Sequence, residues 1–231
     1  MKAIITGATK GIGRATTEAF AKQGFDVAIC ARTAADLDAF EAELNKTYPN
    51  IEVFTQVVDM SKKDAVKGFA AAVVAKWAKV DVLVNNAGVF LPGELTDAKN
   101  EDNFELMMDT NLYSAYYMTN GVLPAMVEQK DGCIINICSI ASFEPYGAYA
   151  VSKHAMLGFS RALREEVKEK GVRVSAVMPG ATLTASWDGV DLPKERFMKP
   201  EDIADAVWGI YNLSKQTVVE EIILRPQLGD I

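Results

Sequence analysis

The sequence predicts an α/β protein built on a single doubly wound parallel sheet of about seven strands, with helices on both faces. Two observations support this fold class. Short apolar runs rich in β-branched residues alternate along the chain with longer stretches in which apolar residues recur at helical spacing. The short runs show little alternation of polar and apolar residues, which is typical of parallel strands buried on both faces.

The predicted elements follow one another in regular order. Strands are expected at residues 2–6, 26–30, 52–58, 80–85, 133–138, 172–178 and 220–225. Helices are expected where apolar residues share one face, as Leu37, Phe40 and Leu44 do. Another helix carries Tyr149 and is stopped by Gly171. This repeated strand–helix order requires right-handed crossovers between parallel strands.

No linker rich in proline, glycine or serine and no internal repeat divides the chain, so we predict one domain over residues 1–231. The segment 181–202 lacks a regular period and holds two prolines. It follows the sixth predicted strand, where a doubly wound sheet places loops over its ligand. We therefore expect 181–202 to form a lid or wall of a substrate pocket.

Charge and composition exclude several classes of protein. The net charge is −7 and the pI is near 4.9, so there is no basic surplus for the phosphates of nucleic acid or for an anionic membrane. No apolar run reaches the roughly 18 residues of a membrane-spanning helix. We expect a cytoplasmic protein with neither nucleic acid nor membrane as a partner. The three cysteines lack a CxxC spacing and His154 is the single histidine, so no metal site is predicted.

A glycine-rich turn, TGATKGIGRA, follows the first predicted strand. Gly7, Gly11 and Gly13 permit a tight turn and let backbone N–H groups approach a pyrophosphate, which then lies at the positive end of a helix. In the first strand–turn–helix unit of an alternating chain, this pattern predicts a dinucleotide site and hence a Rossmann-type sheet.

The end of the second predicted strand indicates which dinucleotide binds. Sites for NAD usually hold an acidic residue there for the ribose 2′-hydroxyl. This chain has Arg32 instead, and Lys10 lies in the glycine turn. A guanidinium and an ammonium both suit a 2′-phosphate, so we predict NADP (as NADPH) in preference to NAD. Asp36 comes too late to replace the missing acid and is expected inside the next helix.

The stretch SIASFEPYGAYAVSK, residues 139–153, combines two serines, two tyrosines and a lysine. Tyr149 and Lys153 lie four residues apart, so they share one face of a helix. A free tyrosine has a pKa of about 10, and a positive charge one turn away favours the phenolate and eases proton exchange. Tyr146 has Ala150 at the same spacing. Tyr149 is therefore the predicted acid/base, and Tyr146 is expected in the pocket wall.

These motifs resemble the short-chain dehydrogenase/reductase family over nearly the whole chain. Six segments match in order: TGxxxGxG, an aspartate after the third strand, NNAG after the fourth, a helix asparagine, YxxxK and PGxxxT. The resemblance implies cofactor contacts from Thr6, Gly7, Thr9, Lys10, Gly11, Ile12, Gly13, Arg32, Asp59, Met60, Asn86, Ala87, Gly88, Tyr149, Lys153, Pro179, Gly180, Thr182 and Thr184. It implies catalytic roles for Asn111, Ser139, Tyr149 and Lys153.

The catalytic serine of this family closes the strand before the tyrosine helix, usually further ahead of the tyrosine than either serine here. Ser139 lies ten residues before Tyr149, and Ser142 only seven. Ser139 is anchored on the strand predicted at 133–138, and a shortened surface loop can be absorbed at small cost. We therefore expect Ser139 to act and Ser142 to line the pocket.

By resemblance, the chain reduces a ketone or aldehyde with NADPH, or runs the same reaction in reverse. Ser139 and Tyr149 would bond the carbonyl oxygen, and Tyr149 would donate its proton as general acid. Lys153 would hold the nicotinamide ribose, and Asn111 a water leading to solvent. The resemblance also implies a homodimer or homotetramer, often formed by helices around 101–129 and 147–170.

The residues expected to wall the pocket suit a modest apolar carbonyl substrate. They are Phe90, Leu91, Phe143, Tyr146 and Trp187. Two alternatives stay open: a 3-oxoacyl-[acyl-carrier-protein] reductase, and a non-catalytic NADPH-binding sensor. No basic cluster stands out to dock an acidic carrier protein, and a small-carbonyl or sepiapterin-like reductase fits the short lid better. A sensor need not keep all four catalytic residues.

Overall fold

The computed structural model describes residues 1–187 and 189–231, and a parallel sheet of seven strands lies at the centre of this part of the chain. The strands are β1 (Lys2–Thr6), β2 (Asp26–Ala31), β3 (Val53–Val57), β4 (Val82–Asn85), β5 (Gly132–Ile137), β6 (Val172–Pro179) and β7 (Glu221–Leu224). All seven predicted strands are confirmed, with ends displaced by no more than two residues.

The strand order in the sheet is β3-β2-β1-β4-β5-β6-β7, and every neighbouring pair is parallel. Strand β1 lies between β2 and β4, with Ala3 opposite Val27 on one side and Val82 on the other. The chain therefore winds outward from β1 in one direction and from β4 in the other. The carboxyl ends of β1 and β4 meet at this switch point, where such sheets bind ligands.

Helices cover both faces of the sheet, which confirms the predicted fold class. They are α1 (Gly11–Lys22), α2 (Ala34–Thr47), α3 (Lys63–Trp77), α4 (Glu101–Met108), α5 (Ser114–Gln129), α6 (Gly147–Val167) and α7 (Pro200–Tyr211). One hydrophobic core joins α1, α2 and α7 to the sheet, and a second joins α3, α5 and α6 to its other face. Successive side chains of a buried strand point to opposite faces, so Ile4 packs in the second core and Ile5 in the first.

An aromatic cluster fixes α7 against α1. The ring of Phe20 packs edge-on to Phe25, Trp208 and Tyr211, with centroids 5.1, 5.6 and 5.7 Å away. Such edge-to-face pairs add about 0.5–1.5 kcal/mol each beyond their buried area. The cluster anchors α7, the helix that begins at the end of segment 181–202.

The three cysteines are buried and free. Burial raises the pKa of the Cys30 and Cys133 thiols to about 12 and that of Cys138 to about 11. They therefore pack as small apolar groups at neutral pH. In the described part of the chain, no helix combines the length and the apolar character that crossing a bilayer requires.

Candidate active site

A cavity of about 880 Å³ runs along the carboxyl edge of the sheet at the switch point. Its walls come from the segments that follow β1 through β6 and from the C-terminal residues. The predicted site residues that line it are Gly7, Thr9, Lys10, Gly11, Ile12, Gly13, Arg32, Asp59, Met60, Asn86, Ala87, Gly88, Ser139, Tyr149, Lys153, Pro179, Gly180, Thr182 and Thr184. Thr6 and Asn111 were predicted at the site and do not line the cavity.

The glycine turn before α1 has no side chains at three positions, and its backbone packs too tightly there to accept any. Gly7 and Gly11 have φ angles of 65° and 53°, in the left-handed region that favours glycine. A Cβ at Gly13 would lie 2.2 Å from the carbonyl oxygen of Gly7 and 2.4 Å from Nδ2 of Asn86. No side chain fits there. The turn therefore presents bare backbone at the N-terminus of α1, as pyrophosphate binding requires.

Thr6, predicted as a cofactor contact, is buried behind this turn and does not line the cavity. Its Oγ1 accepts hydrogen bonds from the amides of Asn86 and Ala87, each at 3.0 Å. In return, Nδ2 of Asn86 donates to the carbonyl oxygens of Thr6 at 2.9 Å and Gly7 at 3.1 Å. As the last residue of β1, Thr6 has its side chain directed to the neighbouring strand end. Thr6 therefore supports the glycine turn from behind and does not line the cavity.

Two cations line the cavity near the end of β2. Arg32 follows that strand and is exposed, and Lys10 extends from the glycine turn. Lys10 Nζ forms an ion pair with Oδ2 of Asp36 at 3.0 Å. Asp36 lies in α2 as predicted, but it also lines the cavity, which sequence reasoning missed. Helical side chains point back toward the helix N-terminus, so an acid in the first turn of α2 faces the end of β2.

Asp59 and Met60 line the cavity just beyond β3. Asp59 Oδ1 accepts hydrogen bonds from the amide and the hydroxyl of Ser61, at 3.0 and 2.8 Å. Burial raises the pKa of Asp59, but these bonds and the charges of Lys62 and Arg32 outweigh it, so that pKa lies below its ordinary value of 3.8. The carboxylate is therefore ionised and held in one orientation at neutral pH.

Tyr149 and Lys153 lie one turn apart on α6 and both line the cavity. Lys153 is 4% exposed, and its Nζ donates to the carbonyl oxygen of Ile137 at 3.0 Å. That bond ties α6 to the end of β5 and uses one of the three N–H groups of the ammonium. The same Nζ lies 5.7 Å from the ring centroid of Tyr149. Phe90 packs edge-on to the Tyr149 ring, with centroids 5.0 Å apart, and so fixes its position.

Ser139 lies just beyond β5 and lines the cavity, whereas Ser142 does not. Oγ of Ser139 accepts a hydrogen bond from the amide of Ala141 at 3.1 Å, which caps a short 3₁₀ turn, Ile140–Ser142. Accepting this bond leaves its hydroxyl proton available. Oγ of Ser142 donates to the carbonyl oxygen of Lys153 at 2.9 Å. The prediction that Ser142 lines the pocket is wrong, because the 3₁₀ turn directs it into the protein against α6.

Asn111 is 1% exposed and lies behind the cavity wall, in a π-helical turn (Asp109–Tyr113) between α4 and α5. Its Oδ1 accepts from the amide of Val89 at 2.7 Å, and its Nδ2 donates to Oγ of Ser152 at 2.9 Å. Oγ of Ser152 in turn donates to the carbonyl oxygen of Tyr149 at 2.8 Å. Asn111 therefore connects the loop after β4 to the tyrosine helix. Sequence reasoning placed it at the site but missed Ser152.

The residues predicted to wall a substrate pocket come from three separate loops. Phe90, Leu91, Tyr146 and Trp187 line the cavity as predicted. Phe143 does not, and its prediction is wrong. Its side chain is exposed, and the guanidinium of Arg225 lies 5.6 Å from the centroid of its ring.

The segment after β6 bends over the cavity toward the glycine turn. A Cβ at Gly11 would lie 2.9 Å from Cγ2 of Thr184. Backbone bonds between Leu183 and Met198, at 2.9 Å, and between Met198 and Ala181, at 3.0 Å, close the segment into a loop. Asp188, within the predicted lid 181–202, lies outside the described residues.

The C-terminal residues also line the cavity, and sequence reasoning missed them. Asp230 and Ile231 line the cavity. Arg225 forms ion pairs with Asp230 and with Glu144, the latter at 3.3 Å, and Glu144 belongs to the loop before α6. Nη2 of Arg196 donates to the carbonyl oxygen of Asp230 at 3.4 Å. Two arginines therefore hold the C-terminal segment against the cavity.

Comparisons with known proteins agree with this geometry. The family model for short chain dehydrogenases matches residues 1–194. The chain is 37% identical to a sepiapterin reductase of Chlorobaculum tepidum over 239 aligned positions, which cover 99% of this chain and 97% of that protein. It is 31% identical to an NADP-dependent 3-hydroxy acid dehydrogenase of Escherichia coli over 240 positions, covering 98% and 95%.

A solved structure gives the same result. The alcohol dehydrogenase of the archaeon Thermococcus sibiricus, complexed with 5-hydroxy-NADP, matches with a TM-score of 0.90 at 32% identity, covering 98% of this chain and 96% of that one. The chain belongs to the short-chain dehydrogenase/reductase family. It is an oxidoreductase of that family, with the seven-stranded sheet that its relatives share.

Proposed function

We propose that this protein reduces a ketone or aldehyde to an alcohol with NADPH, with Tyr149 as the general acid. One observation carries the proposal: Tyr149, Lys153 and Ser139 line the same cavity as the bare glycine turn. The turn suits a pyrophosphate, and the three side chains suit a carbonyl group and a proton transfer. A site with only the first of these features would bind a nucleotide without reacting.

The residues present fit NADP. A Cβ at Gly13 would collide with the glycine turn, so the backbone there is kept clear for a pyrophosphate. Arg32 and Lys10 supply positive charge where the adenosine end would lie. Asn86, Ala87 and Gly88 would flank the nicotinamide half, and Pro179, Gly180, Thr182 and Thr184 would cover it. When bound, NADPH supplies the hydride. The chain's own residues orient the substrate and move the proton.

Three side chains divide the remaining work. Ser139 and Tyr149 donate hydrogen bonds to the carbonyl oxygen, where negative charge develops. Tyr149 then gives its proton to that oxygen. Lys153 stabilises the phenolate left behind, because its buried ammonium lies on the same helix face one turn away. Asn111 and Ser152 hold this helix against the loop after β4.

The substrate end favours a small carbonyl compound with an apolar or aromatic body. Its walls include Phe90, Leu91, Tyr146 and Trp187, together with the carboxylate of Asp230. A sepiapterin-like reductase fits this wall better than a 3-oxoacyl-[acyl-carrier-protein] reductase does. We propose that residues 1–231 form a single domain, in which segment 181–202 is the lid of the substrate pocket.

We also propose a cytoplasmic homodimer or homotetramer that associates through α5 and α6. Tyr113, Tyr116 and Val151 expose 43%, 46% and 38% of their surface on or beside these helices. Large exposed apolar groups of this kind mark association surfaces. The molar mass in solution, measured by light scattering, would test the association, since a monomer would contradict it.

The test of function is oxidation of NADPH and NADH by the purified protein against small ketones, diketones, aldehydes and 3-oxoacyl thioesters. Tyr149→Phe should lower turnover by about 10²–10⁴-fold, because it removes the transferred proton, and should keep the Kd for NADPH. The matched control is Tyr146→Phe, which removes a hydroxyl from the cavity wall and should retain turnover within about threefold. Equal turnover of both variants would contradict the role of Tyr149. Tight NADPH binding without turnover on any substrate would favour a sensor.

A further inference from the structure

An ion pair occupies the part of the cavity where a nucleotide 2′-phosphate is expected. Lys10 Nζ and Asp36 Oδ2 are 3.0 Å apart, and both residues line the main cavity and an adjoining groove of about 410 Å³. The Lys10 side chain is 70% exposed and that of Asp36 is 34% exposed. Exposed pairs of this kind contribute little to stability, so Lys10 can exchange one anionic partner for another at small cost.

The neighbouring cations differ from Lys10 in their partners. Arg14 is bound outside the main cavity by Glu18 at 2.9 Å and by Glu43 at 2.6 Å. Arg32 forms no ion pair with any of residues 1–187 and 189–231. Lys10 and Arg32 both line the cavity here. Of these two cations, Lys10 is therefore the one that forms an ion pair with an acidic residue of the same cavity wall.

We propose that Asp36 limits the preference for NADPH over NADH, because its carboxylate competes with the 2′-phosphate for Lys10. The inference rests on the proposed function. On binding, the phosphate has to replace Asp36 as the partner of Lys10, and the displaced carboxylate stays nearby as a like charge. NADH carries a 2′-hydroxyl, which needs no such exchange. Asp36 thus narrows the difference between the two affinities, because it weakens NADPH binding and leaves NADH binding nearly unchanged.

The test is the Kd of NADP⁺ and NAD⁺ for the wild type and Asp36→Asn, measured by calorimetry at fixed ionic strength. Asp36→Asn keeps the shape of the side chain and removes its charge. We expect NADP⁺ to bind about threefold to tenfold more tightly, and NAD⁺ to change by less than about twofold. Adenosine 2′,5′-bisphosphate, which lacks the nicotinamide, should show the same gain as NADP⁺. The control is Asp38→Asn, because Asp38 lies on the same helix, is exposed and lines neither cavity.

A double-mutant cycle separates competition for Lys10 from a general charge effect. In the Lys10→Met background, Asp36→Asn should lose most of its gain for NADP⁺. The proposal is overturned if the gain is undiminished there, if Asp38→Asn matches it, or if Asp36→Asn weakens NADP⁺ binding. Failure of the proposed NADPH preference would be visible separately, as equal binding of the two nucleotides by the wild type.

Discussion

The two ends of the cavity, which we propose bind the nucleotide and the substrate, are built by different means. The nucleotide end is mostly backbone: Gly7, Gly11 and Gly13 approach Asn86 and Thr184 so closely that side chains have no room. The substrate end is mostly side chains from loops far apart in the sequence, and arginine ion pairs hold part of it in place. The first end therefore tolerates no added atoms, whereas the second can be altered residue by residue. A fold built in this way can keep its cofactor site while the substrate differs from one protein to another.

Of the three changes that test this comparison, a methyl group at the nucleotide end is expected to have the largest effect. In Gly13→Ala the new Cβ would lie 2.2 Å from the Gly7 carbonyl oxygen, so the turn must move. We expect the Kd for NADPH to rise at least about tenfold and the free energy of unfolding to fall by about 1–3 kcal/mol, the usual cost of overpacking. Calorimetry and urea unfolding measure the two quantities.

The matched control is Gly68→Ala, at a helix glycine with no atom within 4 Å of the new Cβ. That change should stabilise the protein by about 0.5–1 kcal/mol and leave NADPH binding intact. If Gly13→Ala left the Kd for NADPH and the stability as Gly68→Ala does, the nucleotide end would tolerate an added methyl group, which would contradict the comparison.

A smaller, selective effect is expected at the substrate end from Arg225→Ala. The change removes the ion pairs to Glu144 and Asp230, so the C-terminal segment loses its hold on the cavity wall. We expect KM for the carbonyl substrate to rise about threefold to tenfold, while stability falls by less than about 1 kcal/mol. The Kd for NADPH should stay unchanged. Steady-state kinetics and calorimetry separate these results.

Arg161→Ala serves as the control, because Arg161 pairs with Glu221 at 2.6 Å, and neither residue lines the cavity. It should leave KM unchanged. An equal rise of NADPH Kd and substrate KM in Arg225→Ala would show that the two ends are coupled, against the comparison.

The smallest effect is a pH dependence at Asp59. Its folded-state pKa lies below 3.8, so the carboxylate contributes stability that is present above pH 3.8 and lost as pH falls through the folded value. Asp59→Asn should lower the free energy of unfolding at pH 7 by less than about 1 kcal/mol, since the group is exposed and screened. Urea unfolding at pH 7 and at pH 3 should show this difference shrinking in acid. A difference that grew in acid would contradict the sign.

Much of the fold and of the nucleotide end follows from the sequence, because both depend on local rules. Buried β-branched runs gave the strands, and glycine spacing gave the turn. Yet these rules predict a residue's place along the chain and not its depth in the protein. Thr6 and Asn111 match family motifs, but they do not line the cavity and instead accept hydrogen bonds from backbone amides. A motif cannot distinguish a lining residue from one that braces it.

The substrate end could not be predicted in the same way. Ser142 and Phe143 were placed wrongly because a 3₁₀ turn of three residues sets their directions, and no periodicity in the sequence marks it. The contact between Arg225 and Glu144 joins positions 81 apart. Only the charges of these residues hinted at it, and charged residues are common on any surface.

The hydrogen bonds between Thr6 and Asn86 also bear on when the nucleotide cleft can form during folding. They join positions 80 apart, and β1 has no partner on that side until β4 is made. Closing a loop of this length costs entropy before any contact repays it, so we expect β1 to pair with β4 late in folding. A nascent chain in which only β1, β2 and β3 have emerged has the glycine turn but lacks the segment after β4. It therefore has no nucleotide cleft. NADPH can therefore stabilise the finished sheet by mass action, but it cannot guide the first three strands into place.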